Sequence, residues 1–508
     1  MHYRFTERLN VVTASGCGLA AVLGAIAATR YGALASGVIV GMFFFTGATA
    51  IYFRDPIIAL VGLWLFEVFN APLSTIFGYS SSTGQAIRQA DEILVLLFVG
   101  LTIWHAIRTN RRLPPLRFVV PGIGVAIFGL LGAIVHEVPL NVSLSGALLG
   151  LKLWIMVAAV LLLPWKPSDS QRIYIVAMTV GVLVAIIGIT DHLTGGGVSN
   201  ILHSSNITLT REGAYRSGAD HSIFPTPGEY SLFMSLLFAI AVARLANKFT
   251  RIDFMLALLF AGSVILSLRL RGFLSLTAVV LVVVAAQAAT KRRGALIALI
   301  GGLLLITVAY NLEEGVITKQ FSTYSSSETS ARSRLYTTGE QIASTDFPIG
   351  VGFGRFASYP SRLYYSPVYY QYGLNWIVGL SPTSVFPNFI DDTSWPSVIG
   401  ETGYGGFAAY VIGIIVLILA AVRGLQVEPD ARRWIPLAGL CMIAVFLVDS
   451  LADATLFSWL AATTLAMILG PVLVAQSDPA VARASLSDNQ IGQLLIEDSA
   501  LPNARNPS

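Results

Sequence analysis

Residues 253–290 read DFMLALLFAGSVILSLRLRGFLSLTAVVLVVVAAQAAT. Two apolar runs, 253–269 and 272–290, stand back to back, and the only charges after Asp253 are Arg269 and Arg271. A helix needs about 20 mostly apolar residues to cross the hydrocarbon core of a bilayer. Neither run alternates apolar and polar residues as a barrel strand does. Each is therefore read as a helix that satisfies its own backbone groups across lipid. The two arginines fall where one helix ends and the next returns.

The same pattern extends in both directions. About fourteen runs of this kind centre on 11–29, 33–53, 56–77, 92–108, 117–136, 142–163, 172–193, 228–247, 253–269, 272–290, 294–310, 395–423, 434–452 and 455–475. Over all 508 residues, 55% are hydrophobic and 12% charged, against roughly 25% charged in soluble domains. That excludes a soluble globular chain, and the hydrophobic content excludes a disordered one. The excess of 32 Lys and Arg over 28 Asp and Glu is small, so no nucleic-acid partner is indicated. Cys17 and Cys441 sit in apolar runs and read as small buried hydrophobes. Arg4 and Arg8 precede the first run in the manner of a signal peptide, but the apolar stretch continues to Arg30 and a second run follows, so a retained helix is expected. The fold class read here is all-α, a polytopic membrane helix bundle of about fourteen spans.

Lys and Arg set the orientation. With the N-terminus in the cytoplasm, inside loops carry twenty of them and outside loops eleven, leaving Lys152 in mid-span. Short loops such as 108–117 and 291–293 decide the matter, and both termini are expected in the cytoplasm. The chain then divides into an N-terminal bundle (1–194), a shorter outer loop (195–227), central helices (228–311), a large outer loop (312–392), C-terminal helices (393–475) and a polar cytoplasmic tail (476–508). The large loop is rich in Tyr, Trp and Phe, which disordered segments lack. It is expected to fold in short helices over the outer mouth of the bundle.

Four stretches carry chemistry. In Ser267-Leu-Arg269-Leu-Arg271-Gly272, charge sits at membrane depth, where it costs at least about 2.5 kcal/mol and usually marks a site. Guanidinium forks match phosphate oxygens, so Arg269 and Arg271 are candidates for an anion clamp; the plainer reading is a loop whose arginines snorkel to the interface. Ser330-Ala-Arg332-Ser-Arg334 reads as a helix start running to about Ile342, with Arg332 and Arg334 either on a solvated face or making second phosphate contacts. Pro348-Ile-Gly350-Val-Gly352-Phe-Gly354-Arg355-Phe356 lacks the βαβ setting of a dinucleotide site and reads as tight backbone packing. Ile390-Asp391-Asp392-Thr393-Ser394-Trp395 ends the large loop. Asp392, or less directly Asp391, can cap the returning helix, or one of the pair can act as a general base. Glu401, deeper in that helix, is read as shaping the site. Arg216 in the shorter loop is a further substrate contact, and Tyr336 and Trp395 are surfaces on which sugar rings can stack. Glu67 and Lys152 are mid-span and either pair or line a cavity. Asp449 and Asp453 read as solvated. No metal or nucleotide motif is present, so neither a metal nor a cofactor is expected.

The order of these pieces resembles the O-antigen ligase/polymerase superfamily. The resemblance rests on the arginine turn at 267–272, the large outer loop, the glycine segment at 348–356, and Asp392-Thr-Ser-Trp395 followed by Glu401-Thr-Gly403-Tyr-Gly405-Gly406. It covers about 215–425. The position matching the family's motif histidine is Asp392, a departure that favours the polymerase branch over a histidine-based ligase. The resemblance implies a GT-C-like bundle in the bacterial inner membrane with its site on the periplasmic side. It implies transfer of glycan from an undecaprenyl-diphosphate carrier to a hydroxyl of an acceptor glycan, inverting and metal-independent. Asp392 or Asp391 would serve as base, Arg271 and Arg269 as diphosphate clamp, and Arg332, Arg334, Arg216, Glu401, Tyr336 and Trp395 would contact substrate. Membrane lipid and other polysaccharide-assembly proteins, a chain-length regulator among them, are the implied partners. Ligation of glycan to a lipid or protein acceptor would share that site. A lipid-linked oligosaccharide transporter or flippase is the competing class, although no internal repeat is visible.

Overall fold

The computed structural model describes residues 51–76, 82–111, 114–198, 220–288, 331–382 and 389–477, with positions 47 and 49. Among these residues every regular element is helical. The long helices are α1 (Pro56–Ile76), α2 (Ser82–Arg108), α3 (Leu116–Val135), α4 (Leu140–Gly150), α5 (Lys152–Leu161), α6 (Asp169–Leu193), α7 (Pro227–Asn247), α8 (Arg251–Leu266) and α9 (Leu270–Ala288). After them come α10 (Ala331–Thr345), the short α11 (Tyr359–Leu363) and α12 (Pro367–Gln371), a 3₁₀ turn at Leu374–Trp376, and α13 (Ser394–Val427), α14 (Trp434–Ser450) and α15 (Trp459–Ser477).

Nine of the described helices are long and apolar enough to cross a membrane. The expected run at 142–163 is not one straight span: α4 and α5 meet at Leu151 with a 58° bend. The run at 253–269 appears as α8, whose 16 residues make only about 24 Å of helix. The runs at 11–29 and 294–310, most of 33–53, Cys17 and the tail after 477 lie outside the described residues, so the expected total of fourteen is not reached.

α7 lies at the centre. Its sequence PGEYSLFMSLLFAIAVARLAN offers no polar face, and a helix apolar all round belongs in a core. It is buried from Tyr230 to Ala243 and packs against α6, α8, α9 and α14. Its start has a physical cause: Thr226 accepts the Glu229 amide at 3.2 Å and Pro227 occupies the first turn. α13 packs along α3, and α15 packs against α1 and α5. Outward-facing Ile107, Leu116, Ile134 and Leu193 are exposed, as lipid-facing side chains are.

Of the large loop expected at 312–392, the described parts 331–382 and 389–392 fold largely in short helices, as expected. α10 runs close to the expected bounds and lies across α13. Leu335, Ile342, Val351, Phe356, Tyr369, Leu374, Leu380 and Ile390 form a second small core under it. We call this unit the cap, and its end of the bundle the cap side. Ion pairs and hydrogen bonds from Arg111 to the Leu162 carbonyl, from Arg117 to the Gln476 carbonyl, and between Arg172 and Asp55 gather the other helix ends on the opposite face.

Candidate functional site

The turn between α14 and α15 is the hub of the cap side. Arg271, in the first turn of α9, places Nε 3.2 Å from Asp449 Oδ1, pairs Nη1 with Asp453, and donates to the Ala452 carbonyl at 3.4 Å. Its side chain is 12% exposed, so it points inward. The expectation that Asp449 is solvated is wrong. Its side chain is 2% exposed and also accepts the Thr455 hydroxyl, while Asp453 is 29% exposed. Asp449 ends α14 on the face that meets α7 and α9, and a buried carboxylate survives only where it is paired. Arg269 is half-buried and within electrostatic reach of Asp449.

The same turn ties down α13 and α10. Ser394 donates to the Asp453 carbonyl at 2.7 Å and accepts the Leu456 amide at 3.1 Å. The Trp395 indole donates to Ser450 Oγ at 2.9 Å, and the Tyr336 hydroxyl donates to the Leu451 carbonyl at 2.9 Å. Burial pushes the Tyr336 phenol up to about 12, against the pull of Arg332. Asp392 does not cap α13 as expected: Thr393 holds that position, with no side-chain cap bond. Instead Asp392 pairs with Arg332, and Asp391 Oδ1 lies 3.1 Å from Arg362 Nη1. A charged partner 60 residues away outcompetes a local cap because a charge-assisted pair is the stronger bond.

Of the site residues expected from sequence, Arg271, Tyr336 and Trp395 therefore meet at one turn, with Arg269 near Asp449, while Arg332, Asp391 and Asp392 are engaged in ion pairs of the cap. Trp395 also packs edge-on against Phe407 and Tyr410, so part of its ring serves the bundle. Arg334 is exposed on α10. Arg216 lies outside the described residues. That loop is described again from Asp220, whose carboxyl meets His192 Nδ1 at 3.0 Å and is pushed up to about 7 by burial. His221 bonds the Phe224 carbonyl at 2.9 Å, a structural role.

Glu401 lies in a separate layer, beneath the cap. It accepts the Ser358 hydroxyl at 2.5 Å and the Phe356 amide at 3.1 Å, with the Gly354 and Arg355 amides adding to its shell. α13 breaks at Gly403, where φ is +62°. The Gly400 and Glu401 carbonyls freed near the break accept the Val351 and Gly352 amides, both at 2.9 Å. Gly352 has φ +88°, and a Cβ there would sit 2.3 Å from the Ala133 amide nitrogen. The glycine segment is thus a latch threaded between α3 and α13. Arg355 within it donates to the His136 carbonyl at 3.1 Å, and burial lowers its pKa.

Sequence reasoning missed Asp449, Arg362 and Gly228. Only Gly228 left a signal, a glycine inside a helix start that has no turn to make. A Cβ there would fall 1.6 Å from Arg271 Nη2. Because the clash is with the far end of a flexible side chain, Gly228→Ala should fold while displacing Arg271. We expect a loss of about 1–3 kcal/mol in thermal unfolding in detergent, and recovery of most of it when Asp449→Asn removes the stranded charge. An unchanged melting curve would mean that Arg271 relocates without cost.

The cap presents exposed aromatic side chains, with Trp376 at 85% exposure and Tyr359, Tyr364 and Tyr370 nearby in the chain. Among the described residues no group of three or more His, Cys, Asp or Glu is placed to hold a metal ion. Chemically, the cap side offers guanidinium forks, carboxylates held beside them and aromatic faces. Comparison with protein-family models and with curated proteins finds no match to this chain.

Proposed function

We propose that the chain is a membrane polysaccharide polymerase that moves glycan from an undecaprenyl-diphosphate carrier to a hydroxyl of an acceptor glycan. The reading is carried by one observation: guanidinium–carboxylate pairs stand at the turn between α14 and α15 and in the aromatic-rich cap that docks on that turn. In this reading the bond between the anomeric carbon and the phosphate oxygen breaks as the acceptor oxygen attacks from the opposite face. The diphosphate leaves with the electron pair. Arg271 takes up its charge by exchanging the more exposed Asp453 for phosphate oxygens, and Arg269 adds to the field. Asp392, paired with Arg332, receives the acceptor proton. The cap aromatics supply ring faces for sugars, and the cap faces the periplasm.

Asp392→Asn tests this. It should stop chain extension by at least about a hundredfold, leaving single repeat units on the carrier, as read by gel analysis of lipid-linked glycans. The bend at Leu151, with Lys152 and Glu67 inside the bundle, favours a second reading, a lipid-linked oligosaccharide transporter. Accumulation of repeat units on the cytoplasmic leaflet would decide for it. Normal polymer transferred to the wrong acceptor, or to none, would decide for a ligase.

A further inference from the structure

Lys152 opens α5 at the bend, and its side chain is 8% exposed. Its Nζ lies 4.8 Å from the centroid of Trp459 on α15 and 3.9 Å from Glu92 Oε1 on α2. Asp91 and Glu67 are its other charged neighbours. Glu67 sits on the face of α1 that meets α15: three residues earlier, Trp64 donates to Thr464 at 2.9 Å. Both Glu67 carboxyl oxygens are buried and make no hydrogen bond of normal geometry, although Thr463 is beside them. The Trp459 indole nitrogen is likewise buried without a hydrogen-bond partner among the described residues. Thr463 and Trp459 are 0% and 3% exposed. Helical spacing puts Trp459 and Thr463 on one face of α15. A buried carboxyl, one cation and two further carboxyls thus meet between α1, α2, α5 and α15.

Trp459 opens α15 directly after the turn that carries Asp453. Three ionised carboxyls cannot all be neutralised by one lysine in an apolar slab. Glu92 is half-exposed, whereas both Glu67 carboxyl oxygens are buried.

We propose that Glu67 is a proton-binding site inside the bundle, held beside Lys152. The ligand is a proton: water delivers it to the Glu67 carboxylate and takes it back from the Glu67 carboxyl. Among the described residues Glu67, Asp91, Glu92 and Lys152 are the titratable groups that meet there, from α1, α2 and α5; α15 contributes only the uncharged Trp459 and Thr463. The proposal rests on the bundle alone and stands whether the cap side makes polymer or not.

The test is infrared difference spectroscopy of the full chain in proteoliposomes, stepped between about pH 9 and about pH 6. We expect a protonated-carboxyl carbonyl band that grows on acidification, is missing from Glu67→Gln and is shifted in Glu67→Asp. Identical difference spectra for wild type and both variants would overturn the proposal. Should both variants fail to insert, the wild type decides by mass spectrometry after treatment with dicyclohexylcarbodiimide, which attacks protonated carboxyls in apolar surroundings. Modification of Glu67 several-fold greater at the lower pH supports the site. No modification, or modification independent of pH, refutes it.

Discussion

Arg271→Lys is expected to abolish polymer while leaving the protein at normal abundance in the membrane. Arg271 bridges three groups at once, the carboxylates of Asp449 and Asp453 and the carbonyl of Ala452. A lysine keeps the charge, so Asp449 is not stranded and the fold survives. But an ammonium is a point donor on a flexible stem and cannot reproduce a planar fork. In the proposed reaction the fork must release Asp453 and grip phosphate oxygens while still holding Asp449. Losing one preorganised donor to a developing anion costs about 10²–10³ in rate. The measurement is polymer length and amount in cells depleted of the native chain, with immunoblotting for abundance. Polymer of ordinary length from Arg271→Lys would remove the diphosphate clamp from the proposal. Arg271→Ala should instead lower abundance as well, since breaking a buried pair costs about 3–5 kcal/mol.

Glu401→Leu should loosen the cap without touching any pair at the turn. Its carboxylate gathers the Ser358 hydroxyl and the amides of the glycine latch. Leucine fills similar volume but leaves these donors buried without an acceptor, at about 1–3 kcal/mol for each. We expect an overall loss of about 3–5 kcal/mol, seen as a lower melting temperature and as new protease cleavage between 346 and 366. Glu401→Gln keeps one acceptor oxygen and should lose less than half as much. A leucine variant that melts like wild type and resists protease would show that the latch is held by the Gly400 and Glu401 carbonyls instead.

Solvent sorts residues along one dimension, and what depends on that sorting is legible in the chain. The apolar runs give the helices, and the aromatic loop yields a cap with its own core because such side chains do not stay in water. The glycine segment reads as close backbone packing, and the latch is that. By itself, then, the sequence determined an all-helical membrane bundle with a folded cap, and placed its charges near the helix ends. Only the tertiary structure decided which charge meets which. Asp449 reads as a helix-end carboxylate in water, yet it is buried on Arg271, 178 positions earlier in the chain. Asp392 reads as a cap and turns to Arg332; Lys152 reads as one mid-span charge and stands at a bend among three carboxyls. Hydropathy sets how deep a helix lies but not how it is rotated about its axis. That rotation, set by packing against neighbours distant in the chain, is what brings one side chain within hydrogen-bond reach of another.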